Sequence, residues 1–136
     1  MKLLMIYAER FAYETNQKNL ESAPDMEESR VITNAILACI HSEAEDEEQE
    51  KKVREKLVKN IKWLAGKLKT KRVILHSFAH LSESKASPEF TKALFDAVQA
   101  KLENAEYEVW QTPFGYFLNL ELQAPGFSLA RVFKSL

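Results

Sequence analysis

Residues 53–78, VREKLVKNIKWLAGKLKTKRVILHSF, change periodicity part-way along. Val53, Leu57, Ile61, Leu64 and Leu68 recur at helical spacing through a charged background. From Arg72 the spacing gives way to a continuous apolar run, Arg72–Phe78, of the kind a central strand carries. An amphipathic helix followed directly by a buried strand points to an α/β architecture. The acidic cluster Glu45–Glu50 stands before this helix, and Lys67, Lys69, Lys71 and Arg72 close it. That order matches the helix macrodipole, so the charges read as a solvated helix face in preference to an interaction surface.

Working outward, Ser87-Pro88-Glu89 has an N-capping serine and a first-turn proline, and predicts a second helix. Phe90, Ala93, Leu94, Ala97, Val98 and Leu102 supply its apolar face. Tyr107–Gln111 and Phe114–Leu122 read as strands joined through Thr112-Pro113. Pro125-Gly126 is a turn, and Phe127–Leu136 reads as a short closing helix. Upstream, Lys2–Tyr7 is a buried strand, and Phe11–Glu14 is a second one reached through a turn at Glu9-Arg10. Thr15–Ser29 reads as a loop. Asn34–Ala44 is ambiguous, with Val31, Ile32, Ile36 and Ile40 tipping it to strand. The sum is a single α/β sandwich over residues 1–136, a mixed sheet with two principal helices.

Composition narrows the function. The 136 residues suit one domain with a core that needs no metal or disulfide staple. Lys and Arg number 19 against 20 Asp and Glu, a net charge of −1. This balance excludes a chain that holds nucleic acid mainly by bulk positive charge, and implies little grip on the body of any RNA it meets. The single cysteine, Cys39, excludes an internal disulfide and fits a reducing compartment. The opening MKLLMIYAERF is too short and too soon charged for a signal peptide or membrane span. A soluble, cytoplasmic protein with no membrane contact is expected.

Few residues offer chemistry. His76 and His80 are four apart, but they fall on and just after a strand, with no further convincing ligands, so no metal is expected. His80 ends a strand, where α/β sheets place their binding crevice, and reads equally as a site residue or as a loop-holding histidine. In Thr112–Phe117, Gly115 permits close backbone approach; the segment is a pocket wall or an aromatic sheet-entry bend. GxGxxG, GxxxxGK[ST] and GxSxG are all absent, and Cys39 sits among apolar residues where a thiol is inert.

Three segments carry a family resemblance, in order and at suitable spacing: Ser77-Phe78-Ala79-His80-Leu81-Ser82, Thr112-Pro113-Phe114-Gly115-Tyr116, and Pro125-Gly126-Phe127-Ser128-Leu129-Ala130. Together with the opening strand they resemble the N-terminal editing domain of archaeal-type threonyl-tRNA synthetase, over essentially the whole chain. The resemblance implies a D-aminoacyl-tRNA deacylase-like fold, a homodimer, and ATP-independent, cofactor-free hydrolysis of serine wrongly attached to threonine tRNA. Such proofreading answers a physical need, because one methyl gives only about 1–3 kcal/mol of discrimination.

Carried over by position, His80 and Tyr116 take the catalytic places. Ala79, Ser82, Pro113, Phe114, Gly115, Phe117, Leu118 and Arg131 fall in the substrate pocket, with Ala8 and Glu9 near the terminal adenosine. The chain departs from the family twice. Leu118 stands where the family has a lysine held important for deacylation, and Arg131 where it has a glutamate; His41, Lys134 or Arg131 are candidate replacements. Two function classes follow. One is a hydrolase acting on mischarged aminoacyl-tRNA, either seryl-tRNA or, alternatively, D-aminoacyl-tRNA. The other is a non-catalytic aminoacyl-adenosine or tRNA-binding domain. The chain reads as a freestanding relative acting in trans or as a domain cut from a longer protein.

Overall fold

A computed structural model describes residues 1–136. Strand β1 (Lys2–Lys18) is followed by β2 (Ser29–His41), a 3-10 turn at Ala44–Glu48, helix α1 (Glu50–Lys67) and β3 (Arg72–Ser77). Helix α2 (Pro88–Asn104), β4 (Glu108–Gln111), β5 (Tyr116–Gln123), a 3-10 turn at Ser128–Ala130 and β6 (Arg131–Ser135) complete the chain. The sheet runs β4-β3-β2-β1-β5, with β6 also on β1. Strands β2, β3 and β4 are parallel, and each parallel step is made by a helix, as such connections require. The expected mixed sheet with two helices is therefore the observed architecture.

Both helices cover one face. Val53, Leu57, Ile61 and Leu64 of α1 and Leu94, Phe95, Val98 and Leu102 of α2 bury against Leu3, Met5, Ile36, Ala38, Val73 and Leu75. Helix α2 starts as its sequence dictates: Ser87 Oγ accepts the Phe90 amide at 3.2 Å, with Pro88 in the first turn. Its inner face also contains Thr91 and Phe95, whereas Ala93 is exposed, a shift of about one position from the expected stripe. The opposite face carries a second cluster around Phe11, Tyr13, Ile32, Leu37 and Ile74 and has no helix over it.

Three sequence expectations are corrected. The turn at Glu9-Arg10 does not exist, since β1 runs unbroken and Arg10 pairs with both Thr33 and Gln123. The same strand takes the first residues of the expected Thr15–Ser29 loop, which shrinks to residues 19–28. The expected C-terminal helix is β6, antiparallel to β1 from Lys2↔Ser135 to Ile6↔Arg131. Length explains this last change. Strand β5 covers only Arg10–Lys18 of one β1 edge, and β6 satisfies the amides of the remaining half.

Candidate functional site

A cavity of about 490 Å³ opens where β2 and β3 end. Its walls are Ile40 and Ser42 after β2, His76–His80 of β3 and its exit, the first turn of α2 through Pro88 and Thr91, and the segment Thr112–Leu118. Asn19 and Leu20 close one side. This is the carboxyl-end crevice of a parallel sheet, with the β2–α1 and β3–α2 connections at its rim.

His76 forms part of the inner wall. Its Nδ1 lies 2.9 Å from the Thr112 hydroxyl, and the Phe11 and Phe78 rings flank it at 6.2 and 5.9 Å. Burial, and then the neighbouring His80, pull its pKa down to about 4, so the ring is neutral at pH 7. His80 differs: it is exposed on the cavity wall, packed edge-on to Phe78 at 4.9 Å, with its amide bonded to the Phe78 carbonyl at 2.9 Å. The two histidines therefore play separate parts, and no cluster of three metal-ligating side chains surrounds them.

The opposite wall is fixed by its own hydrogen bonds. Gly115 has φ +86°, and its carbonyl accepts the Asn19 and Leu20 amides at 2.7 and 3.1 Å. A Cβ there would stand 2.9 Å from Ala23 Cβ, so the close approach that Gly115 permits is to the 19–28 loop. The Tyr116 hydroxyl pins the same loop, donating to the Pro24 carbonyl at 2.7 Å and accepting the Met26 amide at 2.9 Å. Phe114 packs edge-on against Phe95 of α2 at 6.2 Å.

Ala79, His80, Pro113, Phe114, Gly115, Tyr116, Phe117 and Leu118 thus meet around one cavity. The other expected site residues lie outside its lining. Ala8 is fully buried opposite Ala35 in mid-strand, and Glu9 is exposed beside it. Ser82 donates to Glu43 Oε2 at 2.7 Å. Glu43 is itself ion-paired to the Met1 ammonium at 2.7 Å, which holds its carboxyl down at about 2. Arg131 donates to the Pro125 carbonyl at 2.8 Å.

None of the candidate replacements for the absent lysine reaches the cavity lining. His41 Nδ1 accepts the Leu81 amide at 3.0 Å while Nε2 sits 2.6 Å from the Ser84 carbonyl, so both nitrogens hold the loop after His80. The Lys134 amine lies over the Trp63 ring. Sequence reading missed Lys85, the only Asp, Glu, Lys or Arg among the cavity-lining residues. It also missed Ser42, whose buried hydroxyl has no partner. Both follow the carboxyl ends of parallel strands, the position that flags crevice residues. Cys39 lines nothing here; burial pushes its thiol up to about 12.

The whole chain, residues 1–136, matches the family model described as the archaea-specific editing domain of threonyl-tRNA synthetase. The chain belongs to this family. Among its relatives are the threonine–tRNA ligases of Methanopyrus kandleri, 31% identical over 99% of this chain, and Thermococcus kodakarensis, 30% identical over 100%. The chain spans 22% of the length of each. The fold is also that of the c-Myc DNA unwinding element binding protein, with a TM-score of 0.72 at 13% identity over 100% of this chain and 99% of that one. Membership ties the domain to tRNA-related editing. No helix is long and apolar enough to cross a membrane.

Proposed function

We propose that the cavity hydrolyses the aminoacyl ester of a mischarged tRNA, with seryl-tRNA of the threonine type as substrate and the domain acting in trans. The observation that carries this reading is the convergence of the His80 segment and the Thr112–Leu118 segment on one cavity that no carboxylate lines. The scissile bond is an activated ester, so the work needed is to orient a water and stabilise a developing oxyanion. His80 presents an exposed imidazole to the cavity, able to hold a water or the terminal ribose. Lys85 contributes the one full positive charge, in place of the family lysine that Leu118 replaces. Tyr116 holds the wall and the 19–28 loop in position.

The helix-free face of the sheet supports pairing of two copies. Phe133, Leu120 and Leu122 leave 53%, 47% and 42% of their surface exposed. Light scattering giving a dimer mass that Leu120→Glu reduces to a monomer supports that assignment; a monomeric parent protein rejects it.

The deciding assay follows ester loss from seryl- and threonyl-tRNA, with D-aminoacyl-tRNA as a third substrate. Faster loss of serine supports the proposal, and preference for the D-ester reassigns the substrate. The second reading, binding without turnover, draws on Leu118 and on a Tyr116 hydroxyl already committed to the 19–28 loop. Tight binding of a non-hydrolysable seryl-adenosine analogue with no acceleration on any ester establishes it.

A further inference from the structure

The net charge of −1 hides a strong segregation. Ten of the 19 Lys and Arg lie between Lys51 and Arg72, with Glu55 as the only acid among them. That segment therefore carries +9, while the remaining nine bases face 19 acids, a balance of −10. Six of those ten bases lie on one surface. The buried side of α1 is Val53, Leu57, Val58, Ile61, Leu64 and Ala65, and Lys51, Lys52, Lys56, Lys59, Lys62 and Lys67 are all exposed on the other.

A helix face of like charges opposes its own formation, because lysines three and four apart repel. Only Arg54 is relieved by an acid on this helix, through Glu50 at 3.4 Å. None of the six exposed lysines has a carboxylate within salt-bridge distance. Trp63 lies among them, one turn on from Lys59 and one before Lys67, with 41% of its surface exposed. Lys134 of β6 adds a further cation 5.5 Å from the Trp63 ring. The 18 residues of α1 make this rail about 27 Å long.

We infer that the exposed face of α1 is an RNA-docking surface, its lysines contacting backbone phosphates of the tRNA whose aminoacyl end enters the cavity. The partner follows from charge complementarity: six exposed ammonium groups with no salt-bridge partner, interrupted only by Glu55, and with no apolar seam, fit a polyanion of regular spacing. The inference rests on the tRNA-editing reading for the identity of the RNA. It replaces the expectation, drawn from total charge, of little grip on the tRNA body.

The test compares the parent protein with the triple variant Lys52→Ala/Lys56→Ala/Lys59→Ala, whose changes are all on solvent-exposed positions. Direct binding of a labelled, uncharged threonine-tRNA transcript is measured from 50 to 300 mM salt. Each lost phosphate contact lowers the slope of log K against log salt by about 0.7–0.9, so the variant slope should fall by about 2–3. Its affinity at 100 mM salt should fall at least tenfold. Equal slope and affinity in the two proteins overturn the inference. So does a loss of slope reproduced by Lys92→Ala/Lys101→Ala on α2, which would mean diffuse attraction rather than a defined surface. Where ester hydrolysis is detected, KM for seryl-tRNA should rise while kcat/KM for seryl-adenosine stays unchanged. A domain that binds tRNA through α1 but hydrolyses nothing refutes the deacylase reading alone.

Discussion

His76 gives the sharpest quantitative test of the site's construction. A histidine in water titrates near 6.5, but burial between Phe11 and Phe78 holds His76 at about 4, with His80 adding a smaller push downward. Between those values the unfolded chain binds a proton that the folded protein refuses. The stability is complete above pH 6.5 and is lost as pH falls towards about 4. The interval amounts to about 3 kcal/mol. Urea unfolding at pH 7.5 and pH 4.5 reads most of it, and the parent protein should lose roughly 2–3 kcal/mol through this residue. The lower limit is set by Glu43: held at about 2, it gives up its own contribution only below pH 4.5. His76→Asn keeps a polar group near the Thr112 hydroxyl and removes the titration, and carboxylate effects common to both proteins cancel in the comparison. The variant should therefore lose about 2–3 kcal/mol less than the parent over the same interval. Equal losses in the two proteins, or an NMR midpoint for the His76 ring between 6 and 7, would refute the argument.

Replacing His80 by Ala should lower the rate of ester hydrolysis about 10²-fold or more while the urea midpoint stays nearly unchanged, because the side chain is exposed. Unaltered turnover would return His80 to a loop role. Gly115→Ala should cost about 2–4 kcal/mol, combining a positive-φ penalty with a Cβ placed 2.9 Å from Ala23. A melting temperature within a degree of the parent's would contradict that. Leu118→Lys keeps an aliphatic stem against the second core cluster and places an amine at the cavity wall, so kcat on seryl-tRNA should rise about tenfold or more. No increase would show that the lysine's work is already done elsewhere.

What was legible depended on whether local pattern and long-range pairing agreed. Both helices, strand β3 and the crevice at its end could be read because their apolar spacing is set within the element itself. Strand β1 could not be read whole. Leu4, Ile6 and Ala8 face the second cluster, yet so do Phe11 and Tyr13, which are odd-numbered. The alternation slips at Glu9, where the β1–β2 pairing passes from Ala8↔Ala35 to Arg10↔Thr33 and Asn34 takes a φ of +53°. A reader of period-two patterns therefore sees two strands and a turn. Strand β6 failed for another reason: Ser128–Leu136 has no strong period, and its conformation is dictated by the vacant edge of β1 about 130 residues earlier. In the site, the motif segments were visible because each is continuous. Lys85 and Ser42 come from two separate connections that only the parallel pairing of β2 with β3 brings together.

The same distinction governs how charge should be weighed. A sum over the chain treats Glu121 and Lys59 as cancelling, although one lies on β5 and the other on the outer face of α1. Interactions between exposed charges fade beyond about 8–10 Å at physiological ionic strength, so distant groups do not neutralise one another. An incoming RNA would meet the local field, and over the outer face of α1 six exposed lysines outweigh the single exposed acid, Glu55. Around the cavity the arrangement is different: Lys85 is the only full charge among lining residues of mixed polarity, with neutral His76 on the inner wall. Lys85 is itself exposed at the cavity rim, so its value to a developing oxyanion comes from its position beside the ester rather than from burial. On the proposed reading, affinity for the RNA and chemistry on its ester fall to separate surfaces, which the triple α1 variant and Leu118→Lys perturb independently. Additive effects of the two on kcat/KM for seryl-tRNA would bear out that separation, and strong coupling between them would remove it.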